Sequence, residues 1–117
     1  GPDFDCSGLV QSAFASQGIW LPRDAYQQEI FCKNIQFDWL NFQGLLSGDL
    51  LFFGTKERCN HVAIYLGDGD YCHSSGSTHG FNGIGINSLN DEGKIGAYYR
   101  SIFRSAARVN RCYQDVS

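Results

Sequence analysis

The sequence predicts an α+β domain with helices first and an antiparallel sheet after them, and two observations carry that prediction. Apolar residues near the N-terminus recur at helical spacing, whereas from Ser47 onward short runs of branched and aromatic residues alternate with glycine-bearing turns. A chain of 117 residues has room for one domain with one core, since that length buries about two-thirds of the surface exposed on unfolding.

Leu9, Val10, Ala13 and Phe14 mark a helix over residues 7–17 with one buried face, and Gly18 supplies its stop. Residues 19–24 read as a loop ending in an Asp24 cap, and a short second helix is expected over 25–30 because Pro22 bars a longer one. Residues 31–46 carry Phe37, Trp39 and Phe42 without periodicity, so they are expected as irregular structure against the core. Strands are expected over 49–53, 61–66, 70–75, 83–87 and 98–109, the last interrupted near Ser105. The helices are expected on one face of this sheet.

The formal net charge of −3 and a pI near 5.4 offer no basic field, so neither nucleic acid nor an anionic membrane surface is an expected partner. Apolar runs such as Leu50 to Phe53 are far too short to cross a bilayer. Five cysteines cannot all pair within one chain, so at least one thiol is free. Cys32, Cys59, Cys72 and Cys112 show no Cys-x-x-Cys spacing and are expected as small buried hydrophobes. Free thiols suit a reducing compartment, so the cytoplasm is the expected location, with the periplasm or cell wall as the alternative.

Cys6 opens the first helix in the run Asp5-Cys6-Ser7-Gly8-Leu9-Val10. A helix N-terminus offers unpaired N–H groups and the positive end of the dipole, both of which favour a thiolate. His61 and His73 lie on adjacent expected strands and can supply a base and a group that orients it. Because strand side chains alternate, these histidines share a face only if the turn at Gly67-Asp68-Gly69-Asp70 contains an odd number of residues or a bulge. A plain two-residue turn at Asp68-Gly69 would part them. His79, in a glycine-rich run, reads as a surface imidazole outside the site.

A zinc site is the rival use of these residues. On a strand Cys72 and His73 point to opposite faces, which leaves Cys59 and His61, and two ligands are too few. Gly67-Asp68-Gly69-Asp70 is too short for a calcium loop. No metal is expected.

Taken together, Asp5-Cys6-Ser7-Gly8-Leu9-Val10, Leu21-Pro22-Arg23-Asp24-Ala25 with Gln27-Gln28, Gly48-Asp49-Leu50-Leu51-Phe52-Phe53, His61-Val62-Ala63-Ile64-Tyr65-Leu66-Gly67 and His73-Ser74-Ser75-Gly76 closely resemble the NlpC family of bacterial cell-wall peptidases. The resemblance implies a papain-like α+β core and hydrolysis of peptidoglycan stem peptides between γ-D-glutamate and a diamino acid such as meso-diaminopimelate. In family terms Cys6 is the nucleophile, His61 the base and His73 the orienting residue, with no cofactor. Cys6 and His61 would rest as thiolate and imidazolium, pass through a thioester, and use the Cys6 backbone N–H for the oxyanion.

Charge suggests further contacts with a stem peptide or murein tripeptide: Asp5 for a free amine, Ser7 and Ser75 as polar contacts, and Arg23 for a carboxylate. For Arg23 an ion pair with Asp24 or another local carboxylate is at least an equal reading. The family's Tyr-x-Trp-Gly-Gly stretch before the nucleophile is missing from the sequence, as is the N-terminal wall-binding module common in relatives. Residues 1–117 are therefore expected to form the C-terminal catalytic domain of a longer protein. A related wall amidase and an inactive peptide-binding domain are the alternatives.

Overall fold

Asp5 starts the first helix by accepting the Gly8 backbone N–H at 2.7 Å, and a Cβ on Gly8 would lie 2.7 Å from that same carboxylate oxygen. The cap needs only a backbone N–H three residues after the aspartate, and the close approach of the carboxylate is what favours glycine there. The computed structural model describes residues 5–75 and 83–109. His79 and Cys112 lie outside the described residues.

Helix α1 spans Cys6–Ala15 and α2 spans Ala25–Phe31. α1 ends in a Schellman pattern, with Ile19 N–H bonded to Phe14 O, Gly18 N–H to Ala15 O, and Gly18 at φ 79°. The strands are β1 (Lys33–Ile35), β2 (Leu50–Gly54), β3 (Cys59–Gly67), β4 (Asp70–Ser75), β5 (Gly83–Ser88) and β6 (Phe103–Arg108), with α3 (Lys94–Ser101) between the last two. They form one sheet in the order β1-β6-β2-β3-β4-β5, and every described pairing is antiparallel.

Three features depart from the sequence reading. Residues 33–35 form an edge strand paired with β6, and three half-exposed residues carry no alternation that could have announced it. Residues 98–101 are helical because Ile95, Tyr98, Tyr99 and Ile102 recur at i, i+3, i+4 and i+7. The last strand therefore begins only at Phe103, and the interruption expected near Ser105 is the register shift between Phe103 and Ser105. The helices also occupy both faces. Val10, Leu21 and Ala25 pack with Leu50, Phe52 and Val62 on one side, while Tyr99 packs with Leu51, Phe53, Ala63, Tyr65 and Tyr71 on the other. Strand β2, buried from Leu50 to Phe53, feeds both cores.

The β3–β4 hairpin settles where the histidines go. Ile64 faces Cys72 and Tyr65 faces Tyr71, yet Gly67 faces Asp70, so Leu66 bulges out of the ladder. Asp68 and Gly69 form the two-residue turn, both at positive φ (52° and 87°). The bulge restores the parity that the short turn would break, and His61 and His73 become diagonal neighbours on the face covered by α3.

Gly69 is held tightly, its N–H bonded to the Tyr65 hydroxyl at 2.8 Å and its carbonyl to Leu89 N–H at 2.7 Å. A Cβ there would sit 2.8 Å from the Phe42 ring and 3.0 Å from the Asn90 side chain. Gly69→Ala is expected to cost about 1–3 kcal/mol, read as a lower urea midpoint at unchanged m-value. A midpoint equal to the parent's would contradict this account of the turn.

Candidate active site

Cys6 occupies the first position of α1, and three contacts hold that helix end. The buried Gln28 side chain donates to Ser7 O at 3.2 Å and to Pro22 O at 2.9 Å, tying α2 and the preceding loop to the start of α1. Arg23 donates to Asp5 Oδ2 and to Ser7 Oγ, each at 3.0 Å. The backbone at Cys6 is therefore braced on both sides. The Cys6 Sγ–H points to Asn60 O at 3.8 Å, beside the residue that precedes His61.

On the other side of that strand end the histidines form a chain. His61 Nε2 and His73 Nδ1 are 2.7 Å apart, and His73 Nε2 is 2.7 Å from Asn87 Oδ1. An amide oxygen only accepts, so His73 Nε2 carries a proton, and its Nδ1 lone pair then accepts from His61 Nε2–H. His61 Nδ1 is left as the basic nitrogen. Tyr99 stacks on His61 (centroids 5.1 Å, 29°) and meets His73 edge-on at 4.9 Å. With Phe53 5.6 Å from His61, the rings close the pair off from water.

Residues 1–104 of the chain match the NlpC/P60 family. The chain belongs to that family. A relative from Escherichia coli (strain K12), "Murein DD-endopeptidase MepS/Murein LD-carboxypeptidase", is 34% identical over 106 residues, which cover 90% of this chain and 49% of the relative. A gamma-D-glutamyl-L-lysine dipeptidyl-peptidase from Bacillus subtilis (strain 168) is 39% identical over 77 residues, 63% of this chain and 24% of that protein. The chain thus spans about half the length, or less, of these curated relatives. The crystal structure of an NlpC/P60 family protein from Bacillus cereus superposes with a TM-score of 0.71 at 30% identity, covering 96% of this chain and 32% of that one. RipD from Mycobacterium tuberculosis, described as a non-catalytic NlpC/p60 domain protein, superposes with a TM-score of 0.65 at 27% identity over 92% of this chain and 67% of its own. The papain-like α+β core expected from the sequence is the one these structures share.

Within this NlpC/P60 domain, burial works against a resting ion pair. It pushes the Cys6 thiol up, opposed by the Val62 backbone N–H and reinforced by the Asp5 carboxylate. Burial and then the neighbouring His73 lower His61 to about 3. His73 is also lowered by burial, against the pull of Asn87. In the free domain burial thus favours the thiol and the neutral imidazole, opposing the thiolate–imidazolium pair that the family resemblance implies.

The remaining sequence candidates fall into two groups. Asp5, Ser7 and Arg23 form one network at the start of α1, so Arg23 takes the local ion pair, and the Asp5 carboxyl is held below its usual range first by Arg23. Ser75 is buried on the histidine face, two residues beyond His73. Two residues escaped the sequence reading. Asn87, on β5 opposite Tyr71, has no motif of its own. Tyr99 was assigned to a strand, although its helical spacing was the signal that could have placed it.

Two outcomes follow from this geometry. Asn87→Ala is expected to lower kcat by about ten- to a hundredfold with KM little changed, since Asn87 acts through His73 and touches no substrate; an unchanged kcat would contradict the chain. Separately, unfolded His61 takes its proton near 6.5 whereas folded His61 does so at about 3. As pH falls the unfolded state gains that proton first, so the stability from neutral His61 is complete above 6.5 and is lost across the window down to about 3. The parent should therefore lose a few kcal/mol more between pH 7 and 4 than His61→Asn in denaturant titrations. Parallel profiles would refute the buried neutral state.

Proposed function

We propose that this domain is a cysteine peptidase of peptidoglycan stem peptides that cuts between γ-D-glutamate and the diamino acid. The observation that carries the reading is the hydrogen-bonded His61–His73–Asn87 chain together with a thiol at a helix start that bonds the carbonyl of the residue before His61, within a family whose relatives include a murein endopeptidase and a gamma-D-glutamyl-L-lysine dipeptidyl-peptidase. The relatives' names cover DD and γ-D-glutamyl bonds alike, and the choice of the γ-D-glutamyl bond rests on the Bacillus relative and on the sequence motifs.

As Cys6 Sγ attacks the γ-carbonyl carbon, its proton passes to His61 Nδ1. The new imidazolium is stabilised by donating Nε2–H to His73, whose own Nε2–H is anchored on Asn87. The oxyanion faces the Cys6 backbone N–H, one of the unpaired donors of the first turn. His61 then protonates the departing amine, leaving a thioester on Cys6. In the second half His61 Nδ1 takes a proton from water, the hydroxide attacks the thioester, and the proton returns to the thiolate as the γ-glutamyl product leaves.

The non-catalytic relative of the same fold supports one rival, a domain that binds stem peptides without cutting them. Mass spectrometry of L-alanyl-γ-D-glutamyl-meso-diaminopimelate after incubation with this chain separates the two. Release of diaminopimelate is expected, and Cys6→Ala should lower the rate on the order of a thousandfold or more. Intact peptide with parent and variant alike would overturn the peptidase reading, and cutting only of a D-alanyl cross-linked dimer would reassign the bond.

A further inference from the structure

We propose that Arg58 forms a carboxylate-binding subsite in the groove beside Cys6, selecting peptides with a free carboxylate near the bond to be cut. This rests on the peptidase reading for what enters the groove. The arginine's own surroundings argue for what it binds.

Among the described residues, Arg23, Arg104 and Arg108 are ion-paired with Asp5, Glu29 and Asp49. Arg100 spends its guanidinium on the Leu89 and Asp91 carbonyls. Arg58 makes no such bond. Its Cζ lies over the Tyr26 ring, 4.5 Å from the centroid. This cation–π contact spends none of the guanidinium N–H groups in a hydrogen bond or ion pair among the described residues, which leaves its fork available to receive a carboxylate through two parallel bonds.

The position is fixed by the backbone. Thr55 N–H donates to Arg58 O at 3.0 Å and Arg58 N–H donates to Thr55 Oγ1 at 3.0 Å, closing a tight β2–β3 turn three residues before His61. Gly54 at φ 155° passes so close beneath that a Cβ would lie 2.3 Å from Arg58 O. Arg58 and Tyr26 line a hollow of about 370 Å³ together with Cys6, Asp5 and Asn60. The same pair lines an adjoining hollow of about 370 Å³ that continues toward Glu29 and Arg104, so Arg58 stands where the two meet.

Charge in the Cys6 hollow is divided, with Asp5 and Asp24 the acids and Arg58 the one cation in its lining. A stem peptide is divided in the same way, since it carries amines and free carboxylates. The carboxylate is either the α-carboxylate of D-glutamate on the acyl side or a carboxylate of the diamino acid on the leaving side. Both offer the same chemistry to a guanidinium, and amidating them one at a time tells them apart.

The test measures calorimetric binding in a Cys6→Ala background, with L-alanyl-γ-D-glutamyl-meso-diaminopimelate and its three forms amidated at one carboxylate each, before and after Arg58→Gln. Cleavage by the chain with intact Cys6 is followed in parallel. Arg58→Gln is expected to weaken the free-carboxylate peptide about tenfold or more, with Arg58→Lys recovering only part. One amidated form should bind as weakly and lose nothing further on Arg58→Gln, which names the carboxylate. If Arg58→Gln binds all four peptides as its parent does, the subsite is overturned, and cleavage with intact Cys6 would leave the peptidase reading standing. If the binding pattern appears without cleavage, the subsite stands and the peptidase reading falls. No binding by the Cys6→Ala parent overturns the subsite outright.

Discussion

The 2.7 Å contact between His61 and His73 is the interaction on which the proposed chemistry depends, and it is a consequence of strand register. On a two-stranded ladder a one-residue slip sends every side chain to the opposite face. The two-residue turn at Asp68 and Gly69 would impose that slip, and the bulge at Leu66 cancels it. Once the rings meet, Asn87 from the next strand selects the tautomer of His73, and His73 selects that of His61. A backbone irregularity far from the thiol thus decides which nitrogen of His61 is basic.

The thiol side is built by different means. α1 contributes the Cys6 backbone, and Gln28, Arg23 and Asp5 hold that helix start against α2 and its loop. Nothing in that brace ionises the thiol. Burial favours the neutral forms of both Cys6 and His61. In the proposed chemistry proton transfer accompanies the attack, when charge developing on sulfur and oxygen raises the proton affinity of His61 and meets the N–H donors of the first turn. A sheltered neutral pair also leaves no standing thiolate exposed to oxidants.

Cys6, His61 and His73 were legible in the sequence because a helix start and strand alternation are local properties, and the parity argument reduced their meeting to the length and shape of one turn. Asn87 was not legible. An asparagine at a strand position carries no signature until β4 and β5 are in register, and only pairing sets that. Tyr99 was missed for another reason. Its aromatic neighbours suggest a strand by composition, whereas the spacing from Ile95 to Ile102 is helical, and spacing prevailed. β1 depends largely on its partner, since Lys33 and Asn34 are exposed and polar and Ile35 alone packs on the core, so the strand forms where β6 lies beside it. Arg23 illustrates the converse, as the local ion pair was readable from charge, and its partner proved to be Asp5 and not Asp24.

The most direct test of the central claim is the long-range ¹H–¹⁵N spectrum of the imidazole rings at neutral pH, with His61→Gln and His73→Gln used to assign the signals. The account predicts that His61 and His73 are both neutral and both protonated at Nε2, leaving Nδ1 of His61 free for the Cys6 proton. An Nδ1–H tautomer of His61, or an imidazolium at either ring in the resting domain, would contradict it.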